Sequence, residues 1–355
     1  MTPLDPARTL FLGIGKSAPA WYRAALPAMH LGAEWAGVRG EPPQLAFVTG
    51  LSTRALDVEE LFGYEAIVLQ QPRGAAWLKL IRRLQAAGVL VLFEIDDDVH
   101  AVGKHAGHMY RQEFNKTVLR ELELNMRACD GLIVSTEFLA QRYRSLNGNV
   151  WVCRNGLDLG RYNLTPPRGG ETVTIGWAGG TGHREAMIPW LNAVGRVMAD
   201  HANLRFMSIG EQFASLLEPQ FGPERAISVP FIELDSYPSA MTNFDIALAP
   251  AGATNFYRAK SDLRWLEASA LAIPTIADPL VYDEIQDGVT GFHAGTADEA
   301  EALLRRLVAD AAARERVGAA AHAHLLAHRT MSAMAPQWAT ALAEAGELRG
   351  AREAG

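Results

Sequence analysis

Several features that define other protein classes are scarce in this sequence. Cys129 and Cys153 are the only cysteines in 355 residues, and neither has a spacing typical of metal ligands. Two isolated cysteines predict reduced, buried thiols and exclude a disulfide scaffold. No run approaches the ~18 uninterrupted apolar residues of a membrane span. The first residues lack the basic and apolar regions of a signal peptide, so we expect a cytoplasmic protein.

The sequence also lacks a large excess of charge of one sign. The formal net charge is −7, which does not favour a nucleic-acid-binding protein. Hydrophobic residues make up 49% of the chain and charged residues 21%, which suits ordinary globular cores and argues against disorder. A length of 355 residues suggests two domains.

Short apolar runs alternate with longer amphipathic runs along the whole chain. This rhythm is typical of βα units and parallel sheets. It predicts strands at 9–14, 45–48, 66–70, 89–95, 131–135, 150–153, 173–177, 204–209, 246–249 and 275–277, and among its helices 184–199, 261–271 and 332–348. Asn-Gly at 155–156 and the Pro/Gly cluster at 166–170 mark a boundary.

The sequence therefore predicts an α/β protein with two doubly wound, Rossmann-like domains at 1–158 and 171–330. Segment 331–355 is predicted to be a C-terminal helix, which either packs on its own domain or crosses back to the first. Ligands of such sheets bind at the carboxyl ends of the strands.

The segment from Lys260 to Asp278 is the most informative part of the sequence. Lys260 and Ser261 open a predicted helix, whose N-terminus suits a phosphate. Glu267 has no i+4 partner of opposite sign, although Arg264 is placed to pair with it. A carboxylate can accept two hydrogen bonds from the vicinal diol of a ribose. The alternative interpretation is an amphipathic helix with a solvated or Arg-paired glutamate.

The run Leu-Glu-Ala-Ser-Ala-Leu-Ala-Ile-Pro at 266–274 resembles the donor-sugar segment of GT-B glycosyltransferases, especially retaining family 4 (group 1). The resemblance implies that Glu267 binds the donor ribose. The family's first glutamate falls at Ala259, and Arg258 and Lys260 beside it would contact the diphosphate. Asn-Gly-Leu-Asp at 155–158 is similar to the element before the family's interdomain linker. The whole-chain pattern is also similar to glycosyltransferases of actinobacterial phages.

Two further elements are expected on the donor side. The stretch 176–184 follows a predicted strand and opens a helix, and Gly179, Gly180, Thr181 and His183 would approach the phosphates. Its spacing is not that of the dinucleotide-binding fingerprint, and a tight turn is the alternative. Tyr257 would stack on the base or the sugar.

An acidic cluster, Asp96, Asp97 and Asp98, ends a predicted strand. One interpretation is a D-x-D site for Mg²⁺ or Mn²⁺. The other, which we prefer, is an acidic element that holds the acceptor or acts as base, without a metal. His105 is the next candidate for the base, and His105 with His108 lacks the further ligands of a zinc site.

The first βα loop carries Gly15, Lys16 and Ser17. A P-loop would need glycine at position 10, which is Leu, so an NTPase is excluded. In the GT-B proteins that the chain resembles, this loop reaches the cleft. Gly15, Lys16, Ser17, Tyr22 and Arg23 are therefore expected on the acceptor side.

The sequence thus predicts a metal-independent GT-B hexosyltransferase whose two domains face each other across a cleft. The C-terminal domain would bind a UDP- or GDP-linked sugar and the N-terminal domain the acceptor, which is a glycan, a protein or a modified nucleic acid. No cofactor besides the nucleotide-sugar is expected, and the resemblance implies retention. The alternatives are a nucleotide-sugar 2-epimerase and a non-catalytic nucleotide-sugar-binding protein.

Overall fold

A computed structural model describes residues 4–15, 17–39, 45–49, 52–56, 58–102, 114–166 and 170–353. The chain divides into two compact units. The first contains the described residues up to 102, 114–156 and 331–353, and the second contains 157–166 and 170–330. Among the described residues, no helix is long and apolar enough to cross a membrane.

The first unit is built on an eight-stranded sheet in the order β4-β3-β2-β1-β5-β6-β7-β8. Its strands are β1 Thr9–Ile14, β2 Glu34–Arg39, β3 Leu45–Thr49, β4 Ser52–Leu56, β5 Ala66–Gln70, β6 Leu90–Ile95, β7 Gly131–Val134 and β8 Val150–Val152. The pairs that involve β3 are antiparallel and the others are parallel. Strand β6 is buried along its whole length, because helices cover both faces of a doubly wound sheet.

The helices of the first unit follow the strands. Helix α1 has three segments, Ala18–Ala20, Trp21–Ala25 and Leu26–Leu31, of which the middle one is a π-helical turn. The others are α2 Ala75–Ala86, α3 Lys116–Ala128, α4 Glu137–Tyr143 and, at the C-terminus, α12 Met331–Glu353, with 3₁₀ turns at Pro6–Arg8 and Val58–Gly63. Asn115 and Thr136 cap α3 and α4 with their side-chain oxygens.

The second unit has a six-stranded sheet in the order β11-β10-β9-β12-β13-β14, in which all pairs are parallel. Its strands are β9 Val173–Gly179, β10 Leu204–Gly210, β11 Ala226–Val229, β12 Ile246–Ala249, β13 Thr275–Ala277 and β14 Phe292–His293. Its helices are α5 Arg184–Asp200, α6 Glu218–Phe221, α7 Tyr237–Met241, α8 Asn255–Arg258, α9 Leu263–Ala270, α10 Ala297–Ala309 and α11 Ala311–His328, with 3₁₀ turns at Leu159–Tyr162, Thr181–His183 and Phe213–Leu216.

The order of the strands reverses at one point in each sheet. In the second unit the chain moves outward from β9 in both directions, so the switch point lies between β9 and β12. Loops that leave adjacent strands in opposite directions open a crevice at their carboxyl ends, where such sheets bind ligands. The β9 loop and the segment after β12 are therefore where the second unit should bind its ligand.

A buried arginine holds the C-terminal helix α12 within the first unit. Arg23 donates from Nε to Glu94 Oε1 at 2.7 Å and from Nη1 to Cys153 O and Asn155 Oδ1 at 2.6 and 3.0 Å. Its guanidinium carbon lies 4.7 Å from the ring centre of Trp338 on α12. Burial raises the pKa of Glu94 to about 8, although the charge of Arg23 opposes the shift.

We expect Arg23→Leu to destabilise the first unit by about 3–5 kcal/mol, because the substitution leaves several buried polar partners without their donor. Thermal and urea unfolding would measure the loss. Arg8→Leu is the matched control, since the Arg8–Glu65 pair is solvent-exposed and should contribute only about 0–1 kcal/mol. Equal effects of the two substitutions would contradict a structural role for Arg23.

Candidate functional site

Glycines form the carboxyl edge of the second sheet at its switch point. Gly179 and Gly210 end the paired strands β9 and β10 in register. Gly210 has a φ of +92°, and a Cβ there would lie 2.3 Å from Gly179 O, so no side chain fits. The space around Gly180 is open within 4 Å of a Cβ position. The backbone here is thus accessible to a ligand. The Thr181 side chain is outside what the structure describes.

The segment after β12 supports this glycine turn from one side. Tyr257 was predicted to stack on the base or the sugar, but only 2% of it is exposed. Its hydroxyl accepts from Ala186 N at 3.3 Å and donates to Gly182 O at 3.5 Å, and its ring packs edge-on against Phe256. Tyr257 therefore fixes the start of α5, and the prediction of a stacking surface is wrong because packing buries the ring.

The segment after β12 also carries two cations, Arg258 and Lys260. Arg258 ends α8 and is exposed, and Lys260 Nζ lies 4.5 Å from the centre of the Phe256 ring. Helix α9 was predicted to begin at Ser261, but it begins at Leu263. Asp262, the residue before the helix, accepts with both carboxylate oxygens from the buried Arg329 at 2.6 and 2.9 Å. Lys260 and Ser261 thus precede the helix.

His183 lies among aromatic rings at the end of the glycine turn. The ring centres of Trp177, Phe256 and Tyr257 are 5.9–6.2 Å away. Burial, reinforced by the charges of Arg264 and Lys260, lowers the pKa of His183 well below its ordinary value. His183 is therefore a neutral imidazole at physiological pH. Its Nδ1 is buried and has no hydrogen-bond partner among the described residues.

Glu267 is buried in the middle of α9, with 5% of its surface exposed. Its Oε2 accepts from the hydroxyl of Tyr237 at 3.1 Å. Burial, and then the charge of Glu267, raise the pKa of Tyr237 well above its ordinary value, so this hydroxyl keeps its proton. A buried carboxylate with a fixed donor on one side is suited to accept hydrogen bonds from a ligand on the other.

The sequence analysis named Arg264 only as a residue that could pair with Glu267. Among the residues that the structure describes, no ion pair joins Arg264 to a carboxylate. Its guanidinium carbon lies 5.2 Å from the centre of the Trp177 ring, and a Cβ at Gly179 would be 2.7 Å from its Nη2. It lies against the glycine edge. Its position three residues before Glu267 on one helix face was the available signal.

A large aromatic side chain beside the same edge was also missed. Phe231 follows β11 and is 66% exposed. A Cβ at Gly210 would lie 3.3 Å from its Cε1. Nothing in the local sequence separates this phenylalanine from a core residue, because its exposure depends on how β11 ends at the edge of the sheet.

Not all residues of the first βα loop and the helix after it have the predicted role on the acceptor side. Gly15 has a φ of +59°, and Ser17 caps α1 by accepting from Ala20 N at 3.1 Å. Lys16 lies outside the described residues. Tyr22 and Arg23 are buried, with 3% and 1% exposed, so neither is available to an acceptor. The prediction for these two is wrong because the π-helical turn directs them into the core.

The three aspartates at the end of β6 have different surroundings. Asp98 is buried, and its carboxylate accepts from Arg142 Nε and from His100 N at 3.1 Å each. Burial alone would raise the pKa of Asp98, but the hydrogen bonds from His100 and the charge of Arg142 outweigh it and lower the pKa. Asp98 is thus a structural anion, and its prediction as a catalytic residue is corrected.

Asp96 and Asp97 are half-buried. Asp97 O accepts from the Tyr143 hydroxyl, and Asp96 Oδ1 accepts from Gln71 Nε2 at 3.0 Å. Gln71, which the sequence analysis did not consider, follows β5 with a φ of +41°, a conformation that costs energy for a residue with a side chain. Asp96 is therefore the best-placed carboxylate at this edge. His105 and His108 lie outside the described residues.

Among the described residues, no group of three or more His, Cys, Asp or Glu side chains is arranged to hold a metal ion. Asp96 and Asp98, the two members of a D-x-D pattern, bind Gln71 and Arg142 respectively.

Comparisons with known proteins agree with this architecture. Residues 189–340 match a family described as glycosyl transferase-like. HepE from Anabaena, solved with UDP and glucose, matches at a TM-score of 0.63 and 13% identity over 95% of this chain and 99% of its own. An E. coli structure described as trehalose-6-phosphate bound with UDP-2-fluoro glucose matches at 0.63 and 11%, over 95% and 99%.

A third relative is longer than this chain. A mutant of TarM from S. aureus, solved with fondaparinux, alpha-GlcNAc-glycerol and UDP, matches at a TM-score of 0.59 and 12% identity over 86% of this chain. The chain spans 64% of the length of that protein. No curated protein sequence matches the chain.

Two doubly wound sheets with their helices, parallel apart from the pairs of β3, together with these neighbours, define the GT-B fold, which confirms the predicted fold class. The match of residues 189–340 to the glycosyl transferase-like family agrees with the predicted glycosyltransferase.

We expect Asp98→Asn to destabilise the protein at neutral pH by about 1–3 kcal/mol, because a buried, hydrogen-bonded anion is lost. A lowered folded pKa means that Asp98 stabilises the fold above its unfolded pKa and stops doing so as pH falls through the folded value. The difference between variant and wild type should therefore shrink in acid. Unfolding at a series of pH values measures it, with the exposed Asp298→Asn as control. A constant difference across the series would contradict this assignment.

Proposed function

We propose that this protein is a hexosyltransferase that moves a sugar from a nucleotide-diphosphosugar to an acceptor hydroxyl. The observation that carries the proposal is the buried Glu267, three residues along α9 from an arginine that lies against the glycine edge, in the region that matches the glycosyl transferase-like family. The second unit binds the donor and the first unit binds the acceptor. The UDP in the neighbouring structures supports a UDP-linked donor for this chain.

The donor would bind along the carboxyl edge of the second sheet. Glu267 accepts hydrogen bonds from the ribose diol, with its other oxygen fixed by Tyr237. The open backbone at Gly180 approaches the diphosphate. Lys260 and Arg258 add positive charge, and Ser261 and the neutral His183 can donate hydrogen bonds. Preformed donors aimed at the leaving diphosphate are the main catalytic contribution, since they stabilise charge that grows in the transition state.

The acceptor would bind to the first unit. Asp96, held by Gln71, positions or deprotonates the acceptor hydroxyl, and Asp97 lies beside it. Gly15, Lys16 and Ser17 contribute backbone and charge, and His105 stays a prediction. General base catalysis contributes about 10²–10⁴-fold in rate where it operates.

The finer points of the proposal rest on the resemblance. Retention of the anomeric configuration follows from family 4, although Ala259 takes the place of that family's first glutamate. A glycan, a protein or a modified nucleic acid stays the proposed acceptor, and the similarity to phage glycosyltransferases and the cytoplasmic location stay predictions. Alpha-GlcNAc-glycerol in TarM supports a glycan-type acceptor.

We expect Glu267→Ala to weaken UDP binding by about 10- to 100-fold, because hydrogen bonds to a charged acceptor contribute about 1.5–3 kcal/mol. Titration calorimetry with UDP measures the change. Tyr237→Phe keeps the carboxylate and should weaken binding less, and Glu315→Ala on the exposed face of α11 is the control. Unchanged UDP affinity in a folded Glu267→Ala variant would remove the ribose assignment.

We also expect turnover without a bound metal, because Lys260, Arg258 and helix N-termini could neutralise the charge of the donor diphosphate. Release of free nucleotide from a panel of UDP-, GDP-, ADP- and dTDP-sugars should be unaffected by excess EDTA. A loss of release in EDTA that Mn²⁺ or Mg²⁺ restores would contradict metal independence. Epimerised sugar-nucleotide without transfer, or binding without turnover, would point to the two alternative functions.

A further inference from the structure

His100 lies in the turn that follows β6, residues 96–102, and was not among the predicted site residues. This acidic turn also carries Asp96 and Asp97, the carboxylates of the proposed acceptor side. The His100 side chain is 23% exposed, so it is partly removed from water without belonging to the core. Histidine is the side chain whose ordinary pKa allows its charge to change near neutral pH.

Helix α4 holds one side of the acidic turn. The buried hydroxyl of Tyr143 donates to Asp97 O at 2.8 Å and accepts from Val99 N at 3.1 Å. Arg142 Nε donates to Asp98 Oδ2 at 3.1 Å. Burial raises the pKa of Tyr143 well above its ordinary value, and an arginine in a protein stays charged. These links to α4 therefore do not change near neutral pH.

His100 links the acidic turn to α3. Its Nε2 lies 2.9 Å from Glu123 Oε1, and Nε2 carries the proton of this hydrogen bond because a carboxylate only accepts. Its Nδ1 is buried and lies 3.6 Å from Asp98 Oδ1, which is too far for a hydrogen bond. A proton on Nδ1 therefore faces a negative charge, whereas a lone pair there would be repelled by it.

The charges around His100 favour its protonated form. The carboxylate of Asp98 raises the pKa of His100 and burial lowers it, while Glu123 raises it again and the charge of Arg142 opposes. The result is a pKa above the ordinary value. The neutral ring of Tyr143, 6.2 Å away between centres, adds no charge. Among the described residues, these are the titratable and charged groups that face His100 from its own turn, α3 and α4.

We infer that His100 is a positioning residue of the acceptor side: its imidazolium holds the acidic turn against α3, and loss of one proton releases the turn. The proton leaves Nδ1 for solvent, and Nε2 keeps its hydrogen for Glu123. The Nδ1 lone pair then faces the Asp98 carboxylate, so that attraction becomes repulsion. Asp96 and Asp97 lie on the same turn, and their positions therefore depend on this proton. The inference rests on the proposed function for its effect on turnover.

The direction of the pH effect follows from the raised pKa of His100. A histidine whose pKa is raised by folding stabilises the structure fully below its unfolded pKa, and this stabilisation is lost as pH rises through the folded pKa. The acidic turn should therefore stay closed in mild acid and open more often in mild alkali.

Hydrogen exchange of the acidic turn tests this without any acceptor. The amides of Val99, His100 and Ala101 donate to Tyr143 or Asp98, so their protection reports how often the turn opens. After correction for the intrinsic pH dependence of exchange, we expect wild-type protection to fall about 3- to 10-fold as pH rises through the titration of His100, the size of a partly exposed charge-assisted contact.

Three variants isolate the charge. His100→Gln can still donate to Glu123 but has no charge, so the turn should be poorly protected at every pH. His100→Arg keeps a charge throughout and should stay protected in alkali. His30→Gln is the control, because His30 is exposed and its ring contacts the carbonyl oxygen of Leu26 in its own helix. This control should keep the wild-type pH dependence.

Turnover is the second readout. Release of UDP from a UDP-sugar by wild type should decline over the same pH range, whereas His100→Gln should be slow throughout and lack this decline. UDP affinity, measured by calorimetry, should agree within about threefold in all variants, because the second unit binds the donor. A general loss of structure would instead lower UDP affinity together with turnover.

The outcomes separate this inference from the proposed function. Protection that does not change with pH, or that changes equally in wild type and His100→Gln, would overturn the inference whatever the turnover shows. Protection that depends on His100, together with a wild-type turnover profile in His100→Gln, would overturn its positioning role. A wild type that neither binds UDP nor releases it would overturn the proposed function, and exchange would still decide whether His100 holds the turn. Melting temperatures at each pH establish that the variants are folded.

Discussion

The second unit depends on the central strand β9, which pairs with β10 over its whole length but with β12 over only two residues. With β10 it is paired in register from Val173 to Gly179, whereas with β12 the register covers only Ile175 and Gly176. Beyond Gly176 no further residues of the two strands are paired. Trp177 is the next residue of β9, and its ring lies 5.2 Å from the guanidinium carbon of Arg264. In doubly wound sheets ligands bind at the carboxyl ends of the strands around the switch point.

Three arginines of the protein differ in whether a carboxylate compensates their charge. Arg23 binds Glu94 and two further oxygens, and Arg329 binds both oxygens of Asp262. The protein compensates both charges. Arg264 lies on the helix that Arg329 anchors, and no carboxylate of the described chain compensates it.

The acidic cluster divides in the same way. Three consecutive aspartates are equivalent in the sequence, but the turn after β6 buries Asp98 against Arg142 and leaves Asp96 half-buried against Gln71. The local sequence could not have indicated this, because the partners come from other segments. The same holds for Tyr22 and Tyr257, whose composition suits a binding surface and whose packing makes them part of the core.

Much of the architecture follows from the sequence itself. Alternation of apolar runs predicts β1, β5, β12 and β13 with their observed bounds, and the glycine turn and Glu267 follow from local pattern. The strands Glu34–Arg39, Ser52–Leu56, Ala226–Val229 and Phe292–His293 were missed, because they lie toward the sheet edges and lack long apolar runs. The start of α9 and the environment of each charged group were decided only by tertiary structure. Arg23 and Glu94 are 71 positions apart and Arg329 and Asp262 are 67 apart. Only folding therefore brings each of these charges to its partner.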